Sequence, residues 1–145
     1  MLYLDLETRS ECDLLFHGLR RYGEDPSTQM SCIAYAFDDE PIHFFWGETE
    51  GRLNDFPEDV IKHIGEGGLI TAHNADFERH LFDYVIADDY GFDAPKIEQW
   101  RCSMAMGLTN GFAGGLDALA VGLGVPYRKH KEGARLIREY CCPGH

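Results

Sequence analysis

Leu2-Tyr3-Leu4-Asp5-Leu6-Glu7-Thr8 reads as a strand with two carboxylates set into it. Side chains alternate between the faces of a strand, so Leu2, Leu4 and Leu6 share one face and Tyr3, Asp5 and Glu7 the other. Two residues of strand advance about 6.6 Å. Carboxylates at that separation can both reach a small cluster of divalent cations. Without a cation, two acids in a buried strand raise each other's pKa and suffer desolvation. A hard cation such as Mg2+ or Mn2+ removes that conflict. The alternative is an edge strand whose acidic face lies in water, and Asp-x-Glu by itself does not decide between the two.

Working outward, 145 residues suit one domain with a sizeable core. The 44% hydrophobic and 12% aromatic content excludes a mainly disordered chain. No apolar run approaches the roughly 20 residues of a membrane span, so no membrane association is expected. The N-terminus has no basic region followed by an apolar run, the mark of a signal peptide. Five cysteines without Cys-x-x-Cys spacing point to reduced thiols and a cytoplasmic location. Cys141, Cys142 and His145 read as a tail rather than a zinc site.

The net charge of −12 argues against non-specific affinity for nucleic acid. The charge is uneven. Residues 1–100 hold 7 Lys+Arg against 22 Asp+Glu, while residues 101–145 hold 6 against 3. An acidic body with a basic C-terminal segment fits a metal site beside a phosphate-contacting surface, and also ordinary surface variation.

Thr8 to Thr28 is polar and turn-rich, with a break at Asp25-Pro26-Ser27. Met30–Phe37 and Ile42–Trp46 read as strands across the turn Asp38-Asp39-Glu40-Pro41, completing an antiparallel meander with the first strand. Phe56 to Ile64 has helical spacing in Val60, Ile61 and Ile64. Leu69–Ala72 reads as a short buried strand, and helical spacing resumes in Phe77, Leu81, Tyr84 and Val85. Ile97–Trp100 reads as one more strand. Helical segments follow at Met104–Leu108, Leu116–Leu123 and about Lys131–Tyr140. This order predicts an α/β fold with a mixed sheet of about five strands, an antiparallel meander plus parallel strands, flanked by helices.

The second acidic cluster lies in Leu69-Ile-Thr-Ala-His-Asn-Ala-Asp-Phe-Glu-Arg79. Asn74 sits where a helix N-cap belongs. Glu78 lies four residues on, on the same helical face, near the strand end where α/β sheets place their sites. Asp76 lies about 160° away around the helix, so Glu78 is the better site candidate. First-turn acids are also favoured by the helix dipole alone.

The two clusters together resemble the first and second motifs of the DEDD 3′–5′ exonuclease superfamily. Four further stretches are similar to the exonuclease region at the start of phage-type family A DNA polymerases: Tyr22-Gly-Glu-Asp-Pro-Ser-Thr28, Ala34-Tyr-Ala-Phe-Asp-Asp39, Gly115-Leu-Asp-Ala-Leu-Ala120 and Lys131-Glu-Gly-Ala-Arg-Leu-Ile137. The resemblance covers nearly the whole chain. It implies a ribonuclease-H-like domain over residues 1–145, with Asp5, Glu7 and Glu78 as catalytic metal ligands for two Mg2+ or Mn2+ ions. It also implies hydrolysis of the terminal 3′ phosphodiester of single-stranded DNA during proofreading, in host cytoplasm if the gene is a phage's. Thr8, Asn74 and Phe77 would line the terminal-nucleotide pocket, although the spacing of Phe77 to Leu81 also suits a core residue. The second-motif acid in this superfamily is usually Asp, and Glu78 is one methylene longer.

The superfamily's third motif, Tyr-x-x-x-Asp or His-x-x-x-x-Asp on a late helix, is missing. No Asp follows Tyr127. Tyr84 to Asp88 matches the spacing but shares a helix with Glu78, and Tyr35 to Asp39 falls in a strand and turn. The domain is therefore expected to be truncated at its C-terminus and weak or inactive in isolation, with a polymerase domain or another chain supplying the fourth ligand. A non-catalytic exonuclease-like binding or assembly module, and a stand-alone DEDD ribonuclease acting on short RNA, are the alternatives. Arg128, Lys131, Arg135 and Arg138, spaced 3, 4 and 3, form one helical stripe if the helix starts by Arg128. Arg135 and Arg138 would then track the strand's phosphates, against the alternative of a solvated face with Leu136, Ile137 and Tyr140 packing inward.

Overall fold

The computed structural model describes residues 1–130 and 132–141. The heptad forms β1 (Leu2–Arg9), whose residues are alternately buried and exposed along its whole length. Leu2, Leu4 and Leu6 turn into the core. β2 (Gln29–Phe37) lies antiparallel beside it, and β3 (His43–Trp46) lies antiparallel beside β2. Glu48–Thr49 (β4) and Arg52–Leu53 (β5) make a separate small hairpin. After α2 (Glu58–Gly65), β6 (Ile70–Ala72) runs parallel to β1 on its other side. A helix then leads to β7 (Trp100–Cys102), parallel to β6. The sheet order β3-β2-β1-β6-β7 is a mixed five-stranded α/β arrangement, as the element order predicts, and is consistent with a ribonuclease-H-like fold.

The connecting helix starts as α3 (Asp76–Leu81), passes through a π-helical turn at Phe82–Ile86 and ends as α4 (Ala87–Tyr90). Gly91 closes it in the left-handed conformation at φ 71°, donating to the Ala87 carbonyl at 2.9 Å. Leu81, Phe82 and Ile86 from this helix are fully buried with Leu2, Ile33, Ile70 and Val60. Phe82 sits between Phe56, Phe92 and Trp100, with ring centroids 6.2, 6.3 and 5.7 Å away. One sheet face is thus sealed by helices. On the other, Tyr3, Phe44 and Trp46 remain exposed.

Three expectations change. Residues 8–28 contain a helix, α1 (Leu14–Glu24), capped by the Asp13 carboxylate, which accepts from Leu15 and Phe16 at 2.8 and 3.0 Å. Gly18 at φ 77° breaks its periodicity, which is why the segment does not read as helical. Ile97–Gln99 is a 3-10 turn, and the strand begins only at Trp100. Three short helices close the described chain: α5 (Ser103–Thr109), α6 (Leu116–Gly122) and α7 (Gly133–Leu136), the last followed by a π-helical turn to Cys141. The last helix therefore starts after Arg128, so Arg128 is not on it and the four-residue basic stripe does not form. Lys131, Cys142 and His145 lie outside the described residues. No helix among the described residues is long and apolar enough to cross a membrane.

Phe82→Ala removes the ring at the centre of this aromatic cluster. It is expected to lower stability by about 3–5 kcal/mol in denaturant unfolding.

Candidate metal centre

Asp5 and Glu7 project from the open face of β1, two strands in from the sheet edge. Immediately after Glu7 the register slips. Glu7 faces Cys32 while Thr8 faces Met30, leaving Ser31 as the extra residue of a bulge. Bulges bend a strand and re-aim its side chains. Here Thr8 is buried, and its hydroxyl lies 2.7 Å from the Tyr22 hydroxyl on α1.

The third carboxylate arrives from the end of β6. Asn74 occupies the left-handed region at φ 64°, which Asn tolerates better than most residues. It is therefore a turn residue, and Ala75 takes the N-cap position without a side-chain cap. The Asn74 carbonyl accepts from Phe77 N–H at 3.0 Å. This turn aims Asp76 outward, where it pairs with Arg79 at 2.7 Å. Glu78 turns inward and is only 3% exposed, and its Oε2 has no hydrogen-bond partner among the described residues.

The electrostatics of the three acids are coupled. Burial pushes the Glu78 carboxyl up to about 8, its own backbone N–H eases the shift, and the charges of Asp5 and Glu7 add to it. Burial also raises Asp5 and Glu7, and Asp5 raises Glu7 further. Lys129 lowers both, and His73 lowers Asp5. Sequence reading singles out neither residue. Lys129 is placed by its backbone N–H, which donates to Asp117 at 3.0 Å. His73 Nε2 lies 2.9 Å from the Gly114 carbonyl, which can only accept, so that nitrogen carries a proton. Its Nδ1 lies 3.0 Å from Ser103 Oγ. Both contacts join residues far apart in the chain, and no local motif announces them.

Two clefts meet at Glu7. The smaller, about 390 Å³, is lined by Thr8, Tyr22, Leu14, Leu15, Phe77 and Arg138 among others. Phe77 packs partly against the core, as its spacing to Leu81 suggests, and one side of it lines this cleft. Asn74 is exposed at the turn and is not on the cleft wall. The larger cleft, about 770 Å³, runs on the other side, between β2, β3 and the C-terminal helix. Leu136 and Tyr140 line it and are exposed rather than packed inward. Arg135 does not line either cleft and pairs with Glu139 four residues on. Tyr84 and Asp88 are exposed on the far part of the Glu78 helix, and Tyr35 is buried with its hydroxyl donating to Asp59 at 3.3 Å.

Among the described residues, no three His, Cys, Asp or Glu side chains are gathered into a ready-made cation cage. The chemistry of the donors nonetheless suits a hard divalent cation. Glu78 offers a buried oxygen without a partner, beside two acids that repel its charge. A bound cation would supply what that oxygen lacks.

No family model matches the chain. Over 143 residues it is 35% identical to a DNA polymerase of Bacillus phage SP02, covering 98% of this chain and 21% of the polymerase. The chain thus spans about a fifth of the length of that relative, and the likeness supports a polymerase-related domain.

The raised Glu78 carboxyl links stability to pH. Between its ordinary value of 4.5 and about 8, the folded state holds a proton that the unfolded chain releases. Stability from this group therefore falls as pH rises through that window, and the loss is complete above it. Thermal unfolding of the metal-free protein is expected to drop on the order of 5 °C between pH 5.5 and 8.5 relative to Glu78→Gln, which removes the titrating group. Equal pH dependence in both proteins would contradict the assignment.

Proposed function

We propose that this chain is the metal-dependent 3′–5′ exonuclease domain of a DNA polymerase, hydrolysing the terminal 3′ phosphodiester of single-stranded DNA in proofreading. The observation that carries this reading is the unpartnered, buried Glu78 oxygen beside Asp5 and Glu7. The likeness to the phage polymerase supports it from a separate direction. Asp5, Glu7 and Glu78 would hold Mg2+ or Mn2+. When bound, such ions activate water and neutralise charge that grows on a scissile phosphate.

The chain's own residues prepare the site around that chemistry. Glu78, whose carboxyl is raised to about 8, would give up its proton to hold a cation. Lys129 sits in the field of Asp5 and Glu7 and supplies positive charge beside a phosphate. Thr8 and Phe77 border the cleft on the α1 side of Glu7, where the 3′-terminal nucleotide fits, and Arg138 on that cleft offers a cation to its backbone. Asn74 and Arg135 stand outside the cleft walls and would reach DNA only from the rim.

The superfamily pattern calls for a fourth carboxylate, and among the described residues no further acid couples to these three. We assign it to another segment or chain, such as a polymerase domain. Three acids hold one ion better than two, so the isolated chain is expected to bind about one Mn2+ and to cleave DNA weakly or not at all.

Calorimetric Mn2+ titration checks this. Binding is expected to tighten at least tenfold from pH 6.5 to 8.5, with release of nearly one proton at the lower pH, and to disappear in Asp5→Ala. Failure to bind Mn2+ through these acids would favour a non-catalytic module. Robust Mg2+-dependent trimming of 5′-labelled single strands by the pure chain, lost in Asp5→Ala, would show that no fourth ligand is needed.

A further inference from the structure

The larger cleft beside Glu7 lies outside the pocket assigned above to the terminal nucleotide. Its wall is formed by Trp46 and Tyr140, which are 61% and 66% exposed, together with Leu136. Arg9 and Lys129 lie on the same wall, and neither has a salt-bridge partner among the described residues. Glu48 is the one acid there besides Glu7. At about 770 Å³ the cleft falls in the roughly 300–1,000 Å³ range of ligand sites.

Trp46 is held as a platform rather than buried as a core residue. Glu7, Cys32 and Trp46 face one another across three adjacent strands, so Trp46 stands on the same sheet face as Glu7, roughly 10 Å away. Its carbonyl accepts from Asn54 Nδ2 at 2.8 Å. The next residue, Gly47, donates to the Ser31 carbonyl at 3.0 Å and accepts from the Tyr90 hydroxyl at 3.0 Å. A Cβ at Gly47 would come within 2.3 Å of the Met30 carbonyl, so the close approach of this strand end requires glycine. The backbone is fixed on both sides while the indole remains open.

An exposed aromatic plane on a rigid strand, with cations beside it, is an arrangement that binds single-stranded nucleic acid by stacking its bases. We infer that this cleft seats the nucleotides on the 5′ side of the scissile phosphate, with Trp46 stacking on a base and Arg9 contacting the backbone. This rests on reading Asp5, Glu7 and Glu78 as a phosphodiester site. Glu7, Ile137 and Cys141 line both clefts, so a strand passing over Glu7 beside the C-terminal segment places its last nucleotide in the smaller cleft and its preceding bases in the larger one.

The chain has two tryptophans, and Trp100 is 9% exposed in the core. Trp46 emission therefore reports on the cleft. A short oligodeoxythymidylate carrying a 5′ fluorescein would be titrated in Ca2+, following its anisotropy, while intrinsic emission is followed with the unlabelled strand. Saturable quenching is expected in the wild type and is expected to vanish in Trp46→Phe, which keeps only Trp100. Trp46→Phe should bind within about threefold of wild type, and Trp46→Ala on the order of tenfold more weakly, the size of one lost stack. If the strand binds with Trp46 emission unchanged and Trp46→Ala binds equally well, the inference is overturned and the cleft is left for a polypeptide segment, while the exonuclease reading stands. If no strand binds at all, both fall.

Discussion

Burying a carboxylate beside two others is the constraint from which the rest of the site follows. Glu78 has been taken out of water within the field of Asp5 and Glu7. Like charges in a poorly solvated place cannot all stay ionised, so one of them keeps its proton or a cation must join them. Lys129 and His73 relieve the conflict partly by favouring ionised Asp5. Relief is incomplete, because Glu78 still has an oxygen with no partner. A core built only for stability would place an apolar side chain there. Retaining the acid there costs stability, as its raised carboxyl and unpartnered oxygen show.

The fold brings the three acids together by topology. A central β1 carries two of them, and the neighbouring parallel β6 delivers the third through a tight turn into the next helix. The left-handed Asn74 and the inward turn of Glu78 belong to one local geometry. The bulge after Glu7 then buries Thr8 against Tyr22. The open sheet face beside the acids carries Trp46 on the same side.

Much of this was legible from local pattern. Alternation in Leu2 to Glu7 gives the strand, its buried face and the shared face of the two acids without reference to anything distant. The strand-turn-helix at residues 70–78 is equally local, and its helical phase separates Glu78 from Asp76. The misses have physical causes. Gly18 interrupts α1, so its 3.6-residue period never accumulates. Asn74 looks like an N-cap because the same side chain suits caps and left-handed turns. The basic stripe assumed a helix from Arg128, but the chain stays irregular to His130. Lys129 and His73 act through contacts across 12 and 41 residues, which no window of sequence contains.

The most direct test is the titration of the Glu78 side-chain carboxyl, followed by its carbon-13 chemical shift with and without saturating Mg2+. A midpoint near 8 without metal, falling below about 6 when Mg2+ is bound, is the predicted result. A midpoint near the ordinary 4.5 under both conditions would contradict it. Glu78 would then be a solvated first-turn acid, and Asp5 and Glu7 merely the wet face of a strand.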